Sequence, residues 1–234
     1  LTKVRLISYS QPVQSAATII GVEDAQDLIA YTARVSNPSN QHNKKTSERL
    51  LSYLAKENHW SPFEMVSACI EIETTRDIAR QILRHRSFSF QEFSQRYADP
   101  LEDLKMVKRE ARLQDHKNRQ NSIEIENDPG LIENVKHQDL IANWTRKQSA
   151  VIAQAESAYK WAVDNGIAKE QARAVLPEGN TMSRIYMNGT IRSWMHYIEL
   201  RSGNGTQKEH RKVAIACAEE LETVFPIMNK FIKK

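Results

Sequence analysis

Cysteine and glycine are the scarce residues of this chain, with two and seven respectively in 234 positions. Cys69 and Cys217 lie in apolar surroundings, VSACIEI and VAIACAEE, where a free thiol is usually buried. No CxxC and no Cys/His ligand spacing occurs, so neither a disulfide nor a metal site is expected. No G-x-G-x-x-G follows a strand and no G-x-x-x-x-G-K-[ST] is present. That excludes the glycine-rich phosphate loops of Rossmann and P-loop domains. No apolar run approaches the roughly 20 residues that span a bilayer, and the first residues lack a signal-peptide pattern. A soluble, intracellular, cytoplasmic chain is expected. Charge is not one-sided either. A net charge of +4 and a pI near 9.0 suit anionic small molecules or a subunit interface, and are weak grounds for nucleic-acid binding.

What is present is a globular composition, 40% hydrophobic and 26% charged, at a length that suits one domain over 1–234 with a substantial core. Residues 4–8 alternate as a strand, and the apolar segment 12–22 reads as a second extended piece. Residues 23–36 read as a helix with Ala25, Leu28, Ile29 and Ala33 inward, followed by a loop full of turn residues. Thr46 or Ser47 caps a helix to about residue 58, with Leu50, Leu51 and Leu54 as its stripe. Pro62 in HWSPFE then turns the chain into a strand. Val66, Ala68, Ile70 and Ile72 take one of its faces, and Met65, Ser67, Cys69 and Glu71 the other.

Residues 100–138 are polar and charged and predict a short helix with an exposed loop or insertion, DPG at 128–130 marking a turn. No chemistry is assigned there. A long helix over 139–165 carries Trp144, Val151, Ile152, Ala155, Tyr159 and Ala162 inward and stops at Gly166. A short helix over 168–176 ends at Pro177, and residues 180–188 read as extended. Two amphipathic helices follow. The first, over 190–201, is apolar at Ile191, Trp194, Met195, Ile198 and Leu200; the second, over 208–224, buries Val213, Ala214, Cys217 and Leu221.

The densest chemistry lies at RHRSFSFQEFSQRY, residues 84–97. Arg84, His85, Arg86 and Arg96 stand among three hydroxyls (Ser87, Ser89, Ser94), one carboxylate (Glu92) and two amides (Gln91, Gln95). A guanidinium is a planar fork that matches phosphate or carboxylate and stays charged at any working pH. The stretch therefore suits an anionic ligand. Thr75 as N-cap and Asp77 in the first turn predict a helix leading into it, with Ile78, Ala79, Ile82 and Leu83 apolar and Arg76, Arg80 and Arg84 as a basic ridge. Past Arg86 the period becomes two, Ser87, Ser89 and Gln91 alternating with Phe88 and Phe90. A solvated basic helix face running into an edge strand accounts for the same pattern.

Arg-His-Arg followed after seven residues by Ser-x-Arg resembles the signature of the flavin-dependent thymidylate synthases. Gln81, Arg84, His85, Arg86, Glu92, Ser94, Arg96 and Tyr97 fall where that family has them. The likeness runs from about Arg34 to Glu209, through ARVS at 33–36, HWSPFE at 59–64, ARAVLP at 172–177, and Gln207 with Glu209. Two positions depart: Gln91 stands where the family often has Asn, and Gly205 where many members have His. Neither is assigned a role.

The resemblance implies an α/β fold of the α+β type, a central mixed layer of strands with flanking helices, large helical content and no Rossmann domain. It also implies a homotetramer with shared active sites. The implied reaction is reductive methylation of dUMP to dTMP, with 5,10-methylenetetrahydrofolate as methylene donor, FAD as hydride carrier and NADPH as reductant. Redox chemistry then belongs to the cofactor, and the protein supplies placement and charge. By the same resemblance Gln81, Arg84, Glu92, Ser94, Gln95, Arg96 and Arg173 hold dUMP, Arg173 coming from a neighbouring subunit. Arg201 lies against the uracil ring and stabilises its ionised imide, the catalytic role. His59, Ser61, Arg84, His85, Arg86, Glu92, Thr190, Arg192 and His196 border the FAD. Read without the resemblance, His59 is a helix-terminal histidine and Arg173 a solvated arginine.

Two cysteines without an activating environment fit a route that adds no protein thiol to the pyrimidine. Two other readings stay open. Basic residues beside Phe88 and Phe90 suggest the stacking platform of an RNA-binding module, although the RRM glycines are missing. Alternatively the arginines only tie subunits together, which predicts no nucleotide affinity.

Overall fold

The computed structural model describes residues 2–125 and 134–233; the turn expected at 128–130 lies outside them. In chain order the elements are β1 (Lys3–Tyr9), α1 (Gln14–Ile20), α2 (Ala25–Ala33), α3 (Ser47–Lys56), β2 (Ser67–Thr75), α4 (Arg76–Ile82), β3 (Ser89–Glu92), α5 (Pro100–Asp103), β4 (Arg112–Gln114), β5 (Ser122–Glu124), α6 (Asn134–Asp164), α7 (Lys169–Ala172), β6 (Met182–Thr190), α8 (Ile191–Ser202) and α9 (Lys208–Glu222).

The main sheet has the order β1-β2-β6-β3. Its spine is β2 against β6, paired without a break from Ser67 opposite Thr190 to Thr75 opposite Met182. Alternation sends Ala68, Ile70 and Ile72 of β2 and Ile185 and Met187 of β6 to one face, where all are buried. Helices α4, α8 and α9 pack on that face, and the Trp194 indole N–H donates to the Ala68 carbonyl at 3.1 Å. Each fully buried side chain of this size stabilises the fold by about 1.5–3 kcal/mol. The other face is charged and pairs across strands: Arg184 meets Glu73 at 2.5 Å, and the Tyr186 hydroxyl donates to Glu71 at 2.6 Å.

The expected architecture of strands flanked by helices is the one found, with one narrowing. Among the described residues every strand pairing is antiparallel, where a mixed layer was expected. Other expectations need correction. Segment 12–22 is helical at α1, not extended. Ala16 and Ala17 favour helix, and Gly21 takes the left-handed C-cap (φ 66°) with its N–H on the Ala17 carbonyl. Cys69 is only half-buried, because alternation puts it on the charged face, whereas Cys217 is fully buried. In α8 the exposed Leu200 yields its expected place to Tyr197, which follows Trp194 by one helical turn and is buried. In α6, Ala155, Tyr159 and Ala162 are buried against α7, but Trp144 and Val151 are exposed. The first half of the described helix meets the segment before it through polar contacts instead: the Trp144 indole N–H donates to the Arg109 carbonyl at 3.1 Å, and the buried Gln148 carboxamide pairs with the Arg109 backbone.

Candidate active site

Helix α4 delivers the arginine-rich stretch. Thr75 stands at its N-cap position but does not cap; its hydroxyl donates to Asp77 at 2.6 Å. The helix stops at Ile82, and Phe88 re-enters the core with its ring centroid 4.8 Å from that of Trp194. The approach depends on Gly189 of β6, where an added Cβ would fall 2.4 Å from the Phe88 ring. Between these two anchors Arg84 and Arg86 are exposed and His85 is half-buried. Arg201 of α8 donates its Nε–H to His85 Nε2 at 3.0 Å. The His85 ring is therefore neutral with its proton on Nδ1. Burial, then the charge of Arg201, pushes its pKa down to about 4. No carboxylate pairs with Arg84, Arg86 or Arg201 among the described residues.

Helix α8 also gathers most of the residues expected at the flavin. The hydroxyl of Thr190 accepts the Ser193 N–H as its N-cap, and Ser193 in turn donates to the Ser87 carbonyl at 3.2 Å. This fastens the Arg84 loop to the first turn of α8. Arg192 pairs with Glu64 at 2.5 Å, beside the exposed Ser61 in the 3-10 turn Ser61–Glu64. His196 meets the Trp60 ring at 4.5 Å, and burial followed by Arg192 lowers its pKa. His59 is exposed, edge-on to Tyr53. Glu92 accepts from Ser183 at 2.9 Å and meets Arg76 at 3.5 Å.

The expected phosphate ligands form a separate group. Arg96 is held by Glu170 at 3.1 Å, and Arg173 donates to the Glu170 carbonyl, so both guanidinium groups of one chain gather at α7. Ser94 accepts the Arg96 N–H at 3.4 Å. Gln95 is 3% exposed and its Nε2 has no partner. Among the described residues no hydrogen bond or ion pair joins this group to Ser61, Arg192 or Arg201.

Gln81 belongs to a third set; the sequence singled out Gln81, Gln207 and Glu209 but not His210, Tyr197, Arg109 or Arg112. Gln81 contacts His210 (3.2 Å) and Gln207 (2.9 Å). Gln207 contacts Glu209 (3.0 Å), and His210 contacts the Tyr197 hydroxyl (3.2 Å). Arg112 (2.6 Å) and Arg109 (3.2 Å) close on Glu209, and Arg109 also holds Asp77 at 2.5 Å. Segment 105–125, for which the sequence suggested no chemistry, is thus pinned to α4 and α9. For His210 the sequence signal was its place beside Glu209 at the start of an amphipathic helix. The loop before α9 runs through Gly205 at φ 91°, a conformation a histidine there would strain.

Neither cysteine suits nucleophilic work. Burial raises both thiol pKa values, that of Cys217 far above the ordinary range. Phe88 is buried and Phe90 packs on the core, so the stacking platform of an RNA-binding module is not there. Among the described residues no group of three or more His, Cys, Asp or Glu side chains could hold a metal, and no helix is long and apolar enough to cross a membrane.

Known proteins resemble this chain over nearly its whole length. The family model described as "Thymidylate synthase complementing protein" matches residues 18–227. The probable flavin-dependent thymidylate synthase of Paramecium bursaria Chlorella virus 1 is 48% identical over 226 residues, covering 97% of this chain and 96% of the relative. The flavin-dependent thymidylate synthase of Synechocystis sp. is 45% identical over 226 residues, covering 95% of each. The UMP/dUMP methylase PolB from Streptomyces cacaoi, solved with 5-Br dUMP, shares the fold with a TM-score of 0.70 at 24% identity, over 98% of this chain and 93% of that one. Similarity of this extent, across nearly the whole of both chains, means that the chain belongs to the flavin-dependent thymidylate synthase family.

Proposed function

We propose that the chain converts dUMP to dTMP, taking the methylene of 5,10-methylenetetrahydrofolate, with FAD as bound cofactor and NADPH as reductant, in a cytoplasmic homotetramer with shared sites. The observation that carries this reading is the state of Arg201. Its guanidinium rests on a neutral imidazole instead of a carboxylate, so its charge is free to stabilise an anion. A uracil ring that loses its imide proton is such an anion, and a fixed cation beside it lowers the cost of ionisation. The raised thiol pKa values favour a route that forms no bond between protein sulfur and the ring.

The donor set fits FAD. Arg84 and Arg86 are exposed guanidinium groups without a carboxylate partner among the described residues, flanking His85 in the loop that Ser193 of the Thr190-capped turn holds at Ser87. Such forks and hydroxyls match a pyrophosphate. His59, Ser61, Arg84, His85, Arg86, Glu92, Thr190, Arg192 and His196 would hold the group, which when bound supplies the hydride that completes the methyl. Gln81, Arg84, Glu92, Ser94, Gln95, Arg96 and Arg173 would hold dUMP, with Arg96 and Arg173 at the phosphate. Two charge-assisted contacts there contribute about 3–6 kcal/mol, a large part of the roughly 8 kcal/mol of micromolar binding.

The test is turnover of dUMP with methylenetetrahydrofolate and NADPH, read as dTMP by chromatography. The flavin-loaded protein is expected to form dTMP, and Arg201→Ala to lose turnover while retaining its yellow chromophore. Flavin-free protein that makes dTMP at the same rate would overturn the reading.

A further inference from the structure

The hydrogen bonds that lead from Glu209 into the core have one consistent direction. An ionised carboxylate accepts and cannot donate. Burial raises the Glu209 pKa, but its own backbone N–H and the Arg112 guanidinium outweigh that and hold it below the ordinary value. The Gln207 atom 3.0 Å from Glu209 is therefore Nε2, and Gln207 turns Oε1 toward Gln81. Gln81 must then donate through Nε2, which leaves its Oε1 facing His210 Nδ1 at 3.2 Å. That oxygen needs a donor, so the His210 proton sits on Nδ1, and Nε2 accepts from the Tyr197 hydroxyl. The surroundings agree. Burial, Arg201 and His85 push the His210 pKa down to about 3, and burial keeps Tyr197 protonated.

We propose that His210 is a positioning residue of the nucleotide site, locking the Gln81 carboxamide in a single orientation whose polarity is set by Glu209. This rests on the reading that Gln81 contacts bound dUMP. A free glutamine side chain presents its amide either way round and loses rotamer freedom when a ligand arrives. Here one Nε2 hydrogen and one Oε1 lone pair are already engaged, so the remaining N–H and lone pair sit at defined positions before binding. His210 itself is fully buried and acts through Gln81. Segment 105–125 contributes to the same chain of contacts, because Arg109 and Arg112 reach out of it to clamp Glu209.

Equilibrium dialysis of dUMP against flavin-loaded protein, with steady-state kinetics alongside, tests this. His210→Leu is expected to raise the Kd and KM for dUMP about tenfold, the scale of one lost buried hydrogen bond, with kcat and flavin content within about twofold. His210→Asn, whose side-chain N–H can stand in for Nδ1–H, is expected to stay within about threefold of the native Kd. A folded His210→Leu with native dUMP affinity, or two variants weakened equally, overturns the lock and leaves only packing. Should His210→Leu not fold, Tyr197→Phe removes just the donor to Nε2 and is expected to weaken dUMP about threefold; native affinity there also overturns the proposal. Gln81→Ala separates the two ideas. If it binds dUMP like the native protein, the assumed contact has failed; if it weakens binding and His210→Leu does not, the lock has failed.

Discussion

Arg96 meets Glu170 at 3.1 Å with both side chains about half exposed, so a nucleotide phosphate has to displace a carboxylate to use that guanidinium. An exposed pair of this kind contributes about 0–1 kcal/mol. Glu170→Gln should accordingly tighten dUMP by up to about fivefold, measured by equilibrium dialysis; weaker binding would mean that Glu170 aims Arg96 instead of competing for it. His210 makes a second residue-level prediction, about pH. The unfolded chain takes up a proton there near pH 6.5, whereas the folded chain resists to about 3. Protons therefore favour the unfolded state below pH 6.5: the stability is complete above that value and falls as pH falls toward 3. Unfolding free energies from urea titrations at pH 7 to pH 5 should drop, by up to about 1.4 kcal/mol per pH unit for this one buried ring. His210→Asn should flatten the slope, with His85 leaving a residual drop.

At the scale of elements, the junction of β3 and β6 sets the geometry of the Arg84 loop. Gly189 lets the Phe88 ring lie against β6. Gly189→Ala should cost about 1–3 kcal/mol, the usual penalty for overpacking, and flavin affinity should fall with it because Arg84 to Ser87 hang from that ring. Unchanged affinity in a destabilised variant would separate loop from anchor. Elements of this kind were largely legible beforehand. The period of two in β2 and β3 and the apolar stripes of α4, α8 and α9 report a face that is buried in one chain, and local patterning is enough to reveal it. What escaped depended on partners distant in sequence or absent. Arg109 and Arg112 find Glu209 almost a hundred residues later, and nothing near either arginine announces that meeting. Trp144 and Val151 lie on an apolar stripe as regular as the others, yet both stay exposed, although the Trp144 indole N–H reaches the Arg109 carbonyl. Periodicity reveals that a face is apolar without naming what buries it. The site behaved alike: Arg84, His85 and Arg201 were readable as chemistry, but the neutral state of His85 follows from a contact only the fold creates.

The whole molecule, taken as one copy, leaves apolar surface and chemistry unpartnered together. Leu140, Ile141, Trp144, Val151 and Trp161 are all exposed on α6. Beside them a groove of about 600 Å³, lined by Ala150, Val151, Ala155, Val175 and Pro177 among others, opens toward the turn that carries Arg173. Exposed apolar area of this extent is characteristic of surfaces that another chain covers, and most soluble oligomers are closed assemblies of identical copies. The Arg96 and Arg173 pair, which no hydrogen bond or ion pair joins to Arg192 or Arg201 among the described residues, would then complete the flavin side of a different copy. Mixing two inactive variants decides it. Arg173→Ala and Arg192→Ala should each be inactive alone. If a site draws Arg173 from one copy and Arg192 from another, random co-assembly by refolding together leaves about a quarter of the sites with both arginines intact, and dTMP formation should return to that level. If both arginines serve a site within one copy, every site in the mixture carries a lesion and no activity returns. Adding Val151→Asp to both variants should abolish any recovery by dissociating the assembly, which light scattering would report as a fall in mass; recovery in an assembly that stayed intact would assign the shared site to some other contact.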